Sequence, residues 1–90
     1  FLAIDALADG GVADGLKRAD AIRLAAQTML GAAQMVLKKG AHPDVLRDQV
    51  TSPAGTTIEG VRVLERAGFR SALIEAVLAA TEKSRSLGKK

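Results

Sequence analysis

A chain of 90 residues is one small domain or a piece of a larger one. At that size it buries only about 60–65% of its unfolded surface. Yet 48% of its residues are hydrophobic and its mean hydropathy is positive, +0.13, more apolar content than a small monomer needs. Cysteine is absent and His42 is the single histidine, which excludes disulfides, thiolate metal sites and a histidine-based metal site built by this chain alone. The net charge is +3 with a pI near 9.7, but much of the excess sits in the tail "EKSRSLGKK" and the only aromatics are two Phe. With no base-stacking platform, nucleic acid is not expected as a partner.

The surplus of apolar residues predicts that part of the surface faces another chain or a missing domain. No run approaches the roughly 18 apolar residues of a membrane span, and no signal-peptide pattern occurs. A cytoplasmic protein without a membrane partner is expected. The chain opens on Phe1 with a helical pattern already running, which reads as a fragment of a longer protein.

The first segment, "FLAIDALADGG", places Phe1, Ile4, Leu7 and Ala8 at helical spacing, with Asp5 and Asp9 on another face. Those carboxylates read as a solvated or capping face. Gly10, Gly11 and Gly15 are expected to weaken the end of this helix. A second and longest helix is predicted from about residue 17 to 39. Only Arg23, Gln27, Thr28 and Gln34 are polar between Arg23 and Leu37, so it should be wrapped on most sides. Lys38 and Lys39 suit its negative end and Gly40 its termination. A second copy of the chain is expected to supply the missing cover.

Next, Pro43 starts a short helix, with Asp44 in its first turn and His42 as a turn or capping residue. Val45, Leu46 and Val50 are predicted to face inward. In the fourth helix, "TTIEGVRVLERAG", Ile58, Val61 and Leu64 share one face, with Glu59, Arg62 and Arg66 opposite. Gly68 ends it and Phe69 is expected to anchor in the core. The fifth, "RSALIEAVLAATEKSRSLG", should bury Leu73, Ile74, Val77 and Leu78 and fray at its cationic end. The fold class is all-α, about five helices, with no strand, no repeat and no internal domain boundary.

No catalytic constellation stands out. "ADGGVADG" lacks the G-x-G-x-x-G spacing and no strand precedes it. The one stretch unlike its surroundings is "TSPAGTTIEG". Pro53 pushes Ser52 out of the helical region. Two helix starts compete there: Ser52 as N-cap with Pro53 first in the helix, or Thr56 as N-cap with Glu59 closing a capping box. Either leaves backbone N–H groups around residues 55–57 at a helix N-terminus, which favours anions. The loop is thus either an elaborate cap or a seat for a small carboxylate or phosphate.

"TSPAGTTIEGVRVLERAGFRSALIEAV" resembles the pyrroline-5-carboxylate reductases, whose signature typically reads S-P-G-G-T-T-I followed by Leu-Glu, Gly and Phe-Arg. "IDALADGGV", Gly15 with Leu16, "RLAAQTMLGAAQMVL" and "HPDVLRDQV" are similar to the family in the same order. The resemblance covers essentially all of residues 1–90. It implies a helical dimerisation and substrate-binding domain, an interlocked homodimer that in many members builds larger rings, and an N-terminal Rossmann domain outside this chain. It implies reduction of 1-pyrroline-5-carboxylate to L-proline, in proline biosynthesis, with NADPH or NADH held by that missing domain.

By motif position, Ser52 and the backbone N–H groups of Gly55 and Thr56 would bind the substrate carboxylate, and Thr57 the ring nitrogen. Ala54 replaces the first glycine of the usual pair: either this position needs a positive φ, at a cost to alanine, or it is not left-handed and the methyl is tolerated, and the second is expected. Lys17 stands where the family often has proline. Two other readings are a non-catalytic helical oligomerisation module and a basic helical DNA binder.

Overall fold

The computed structural model describes residues 1–88. Five helices follow one another: α1 (Leu2–Ala13), α2 (Arg18–Lys39), α3 (Pro43–Gln49), α4 (Thr56–Arg66) and α5 (Phe69–Gly88). No strand occurs among the described residues, so the all-α reading holds. No described helix is long and apolar enough to cross a membrane. The helices fall into two compact units, one of Phe1–Leu46 and one from Arg47 onward.

In the first unit α1 packs on α2 through small residues. Gly10 and Gly11 do not end α1, which runs on to Ala13. Gly11 instead lies where α1 and α2 are in close contact. A Cβ there would lie 3.2 Å from the Ala21 Cβ and 3.2 Å from the Leu16 Cδ1. Ala8, Ala21 and Ala25 are buried around it. Gly15, at φ +109°, turns the chain, and the Leu16 N–H reaches back to the Gly11 carbonyl at 2.9 Å. Outside this contact, Arg18 Nη1 donates to Asp9 Oδ1 at 2.7 Å, an exposed pair of the kind worth about 0–1 kcal/mol.

Lys17 is the N-cap of α2, and Gly40 ends it in the left-handed region at φ 63°, donating its N–H to the Val36 carbonyl. Lys38 and Lys39 occupy the last turn, as the dipole favours. The wrapping expected for α2 is not supplied within its own unit. Only Ala21 and Ala25 on it are buried, while Leu24 and Leu30 are each 52% exposed and Leu37 83%. In α3 the inward face is narrower than expected: Leu46 is buried, but Val45 and Val50 are half exposed or more. A seven-residue helix turns only one such side chain inward here. His42 acts as the capping residue, its Nδ1 accepting from the Asp44 N–H at 3.1 Å.

The second unit pairs α4 with α5 around a sharp corner. Gly68, at φ +78°, donates to the Glu65 carbonyl at 3.1 Å and accepts from the Ala72 N–H at 2.9 Å, ending one helix and starting the next. Arg70 Nε donates to Glu65 Oε1 at 2.9 Å across the same corner. Ile58, Val61 and Leu64 recur along α4 as the spacing predicts, yet no side chain of α4 or α5 is buried.

Three expectations are corrected here. Phe69 is exposed and heads α5 instead of anchoring in a core. Leu73, Ile74, Val77 and Leu78 are 52%, 58%, 65% and 57% exposed instead of buried. The physical reason is that α5 has one neighbouring helix in its unit, which covers at most one side. Finally, α5 stays helical through Gly88 where fraying is expected; residues 89 and 90 lie outside the described part.

Covering the open half of each of those four side chains would contribute about 1 kcal/mol apiece. The total, about 4 kcal/mol, is a large share of the net stability of a small domain, about 5–15 kcal/mol.

The α1–α2 contact makes a paired prediction. Gly11→Val forces atoms into a packed seam and should cost about 1–3 kcal/mol in denaturant unfolding. Gly10→Ala, where a Cβ would meet nothing within 4 Å, should gain about 0.5–1 kcal/mol from helix propensity. Equal effects at the two sites would show that close approach at Gly11 does not matter.

Candidate functional site

The candidate loop begins where α3 runs out. The Val50 and Thr51 N–H groups close on the Arg47 and Asp48 carbonyls, each at 3.2 Å, and Thr51 Oγ1 donates to the Arg47 carbonyl at 2.6 Å. Residues 52–55 then form a β-turn, closed by the Gly55 N–H donating to the Ser52 carbonyl at 3.1 Å. Pro53, second in the turn, has its φ held negative by its ring. Ala54, third, has φ +56°. That combination is a type II turn, whose third position ordinarily takes glycine.

The expectation that position 54 is not left-handed is therefore overturned. With proline ahead of it, this turn is completed by a positive φ, and Ala54 supplies it at a cost of roughly 1–2 kcal/mol. Gly55 differs: its backbone is extended, φ −83° and ψ −179°, which any residue can adopt. What Gly55 needs is space. A Cβ there would collide with Ser52 Oγ and lie 3.2 Å from the Ser52 carbonyl oxygen.

Neither anticipated cap forms. Gly55 is the N-cap of α4 and no side chain caps that end. Thr56 is the first helical residue instead of the cap, so the capping-box position falls on Ile58 and Glu59 is one place too far along. Glu59 turns forward instead. Both of its oxygens accept from Arg62 Nε at 3.2 Å, and Oε1 also takes a shorter bond from Arg62 Nη2. The guanidinium holds the Glu59 carboxyl below the usual carboxylate range and is itself raised. The first-turn amides, uncapped by any side chain, stand at the positive end of the helix dipole.

The four residues singled out in the sequence thus lie together: Ser52 opens the turn, Gly55 closes it, and Thr56 and Thr57 start α4. An open concavity of about 430 Å³ runs along α4, lined by Ala54, Gly55, Thr56, Glu59, Gly60 and Val63. Gly55 and Thr56 belong to it; Thr57 lies on the adjoining part of the helix surface. Gly60 and Val63 were not singled out, although their spacing from Thr56 is helical and traces this face. No group of His, Cys, Asp or Glu among the described residues could hold a metal ion.

Residues 1–87 match the family described as pyrroline-5-carboxylate reductase dimerisation. The chain belongs to that family. Pyrroline-5-carboxylate reductase of Arabidopsis thaliana is 63% identical over 97% of this chain, which spans 32% of that protein. The enzyme of Methanosarcina acetivorans is 57% identical over 100% of the chain, spanning 33% of that protein. A crystal structure of Plasmodium falciparum pyrroline carboxylate reductase with NADP bound superimposes with a TM-score of 0.91 at 39% identity, over 97% of this chain and 33% of that one. The chain therefore spans about a third of the length of these relatives. Membership in the dimerisation family bears out the resemblance drawn from the loop and its upstream blocks.

Two outcomes follow from the loop geometry. Gly55→Ala should destabilise the protein by about 1–3 kcal/mol in denaturant unfolding, and adding Ser52→Ala, which removes the colliding Oγ, should recover part of the loss. Arg62→Ala should return the Glu59 carboxyl toward its ordinary range in an NMR titration. Because the folded pKa of Glu59 is lowered, its contribution to stability is present above the unfolded pKa and fades as pH falls through the folded one. The variant should flatten the pH dependence of stability in that acid window.

Proposed function

We propose that this chain is the dimer-forming and substrate-holding part of an enzyme that reduces 1-pyrroline-5-carboxylate to L-proline, in proline biosynthesis, with NADPH or NADH as hydride donor. The observation that carries the reading is the family match over residues 1–87, which sets the uncapped start of α4 in a reductase. The chain supplies no dinucleotide cradle of its own: no strand occurs among the described residues, and no G-x-G-x-x-G turn exists in the sequence. The nucleotide belongs to a Rossmann domain outside these residues, and the hydride with it.

What this chain contributes is binding and orientation. The Ser52 hydroxyl and the amides at the start of α4 take the substrate carboxylate, as a helix N-terminus favours. The Gly55 N–H already closes the turn on the Ser52 carbonyl at 3.1 Å. Gly55 therefore serves chiefly by leaving room, and the Thr56 amide is the freer donor. The Thr57 hydroxyl holds the ring nitrogen, so that the C=N carbon is turned toward the hydride donor. No residue of this chain is required as a general acid.

The partner is a second copy. The exposed apolar faces of α2 and α5 are what an obligate helical dimer covers. A cytoplasmic location and assembly of dimers into larger rings go with this reading.

The full-length protein should form L-proline from pyrroline-5-carboxylate and NADPH or NADH. Thr57→Ala should lower turnover by about tenfold or more, on the scale of a lost orienting hydrogen bond, with nucleotide affinity intact. Unchanged kinetics would remove Thr57 from the site. Light scattering should find no folded monomer at micromolar concentration; a stable monomer would end the dimer reading.

A further inference from the structure

Among the described residues, Ala54 is the one non-glycine with a positive φ, +56°. It stands third in the 52–55 turn and lines the concavity beside Gly55 and Thr56. An L-residue with a Cβ disfavours this region by roughly five- to thirtyfold. A turn with proline second has two forms, differing in whether the third residue takes a positive or a negative φ. Both keep the Ser52 C=O···H–N Gly55 bond, 3.1 Å here. They interconvert by rotation of the Pro53–Ala54 peptide plane. That rotation carries the Ala54 N–H and the Pro53 carbonyl to opposite sides of the loop. No side-chain cap on α4 opposes it, and the Ala54 methyl can make no hydrogen bond.

We propose that Ala54 is a positioning residue: its backbone preference sets the fraction of the loop held in the left-handed form that receives the substrate carboxylate. The proposal rests on the reading of residues 52–57 as the substrate loop. Apparent affinity scales with the fraction of the competent form, so the residue at 54 tunes affinity through the backbone of the turn. Glycine and asparagine both tolerate the left-handed region; a β-branched residue does not.

The test is steady-state kinetics of the full-length enzyme with pyrroline-5-carboxylate, comparing Ala54→Gly, Ala54→Asn and Ala54→Val, with Ser52→Ala as reference. Ala54→Gly and Ala54→Asn should both lower KM for the imino acid by about threefold or more, with kcat and the nucleotide KM unchanged. Ala54→Val should raise it by about tenfold; if that variant fails to fold, the other two decide. Glycine removes the methyl from the concavity and asparagine enlarges it. Opposite shifts in those two variants would mean that bulk governs, not φ, and would overturn the proposal. So would an unchanged KM in both. If Ser52→Ala raises KM while the Ala54 series is silent, the substrate loop stands and the role of Ala54 falls. If Ser52→Ala is silent as well, both fall.

Discussion

Burial of apolar surface within this chain reaches four side chains among the described residues, and three of them are alanines: Ala8, Ala21 and Ala25, with Leu46. All four belong to the first unit, Phe1–Leu46. Alanine gives up little surface, so the seam between α1 and α2 is held by close approach more than by transferred area. Gly11 sets how close that approach can be. Among its described residues the second unit has no buried side chain, and roughly forty residues without an interior cannot offset the backbone entropy of ordering them. Everything else in the molecule depends on that deficit. The exposed large apolar side chains of α2 and α5, among them Leu24, Leu30, Leu37, Leu73, Val77 and Leu78, are not scattered surface residues, and they become a core only against another surface.

The loop at residues 52–55 shows a different economy. Its geometry is local, set by Pro53, by the left-handed Ala54 and by the missing side chain of Gly55. Its consequence is an α4 that starts without a cap. A capping box would have engaged amides of that first turn and would also have filled the place proposed for the substrate carboxylate. By starting the helix at Thr56, the chain moves Glu59 out of capping reach, and Arg62 then engages its carboxylate. A helix end that helix propensity alone would have closed is left open, at the cost of a strained alanine and an absent cap. Such local conflict with propensity is the pattern expected of a working site.

Most of the helices were legible from periodicity and punctuation. Gly40 and Gly68 ended helices as their positions suggested, because a left-handed C-terminal residue is a local matter decided within a few residues. His42 capping α3 was legible for the same reason. Gly10 and Gly11 misled because the role of Gly11 is a contact with Ala21, ten residues on in the sequence, which spacing within α1 cannot reveal. Burial was the least legible feature. Leu73, Ile74, Val77 and Leu78 carry an inward-facing pattern, but a pattern names a face to be covered and not the chain that covers it. At the loop, the sequence marked Ser52, Gly55, Thr56 and Thr57 as neighbours near a helix start but not the backbone between them: an alanine gives no sign from sequence that it occupies a glycine's conformation.

These two constraints meet in α4. Its first turn is the proposed substrate seat, and its apolar positions, Ile58, Val61 and Leu64, lie in a unit that lacks an interior of its own. The amides can hold their direction only as firmly as the rest of the helix is held. In the proposed dimer that firmness comes from the partner copy, so subunit association and substrate binding draw on the same ordering of α4. A ligand seated at the loop then favours the assembled state over the separated one, by the same mass action through which assembly favours the ligand. On that proposal, the absence of a buried side chain among the described residues of the second unit would tie the shape of the proposed substrate loop to the presence of the second chain.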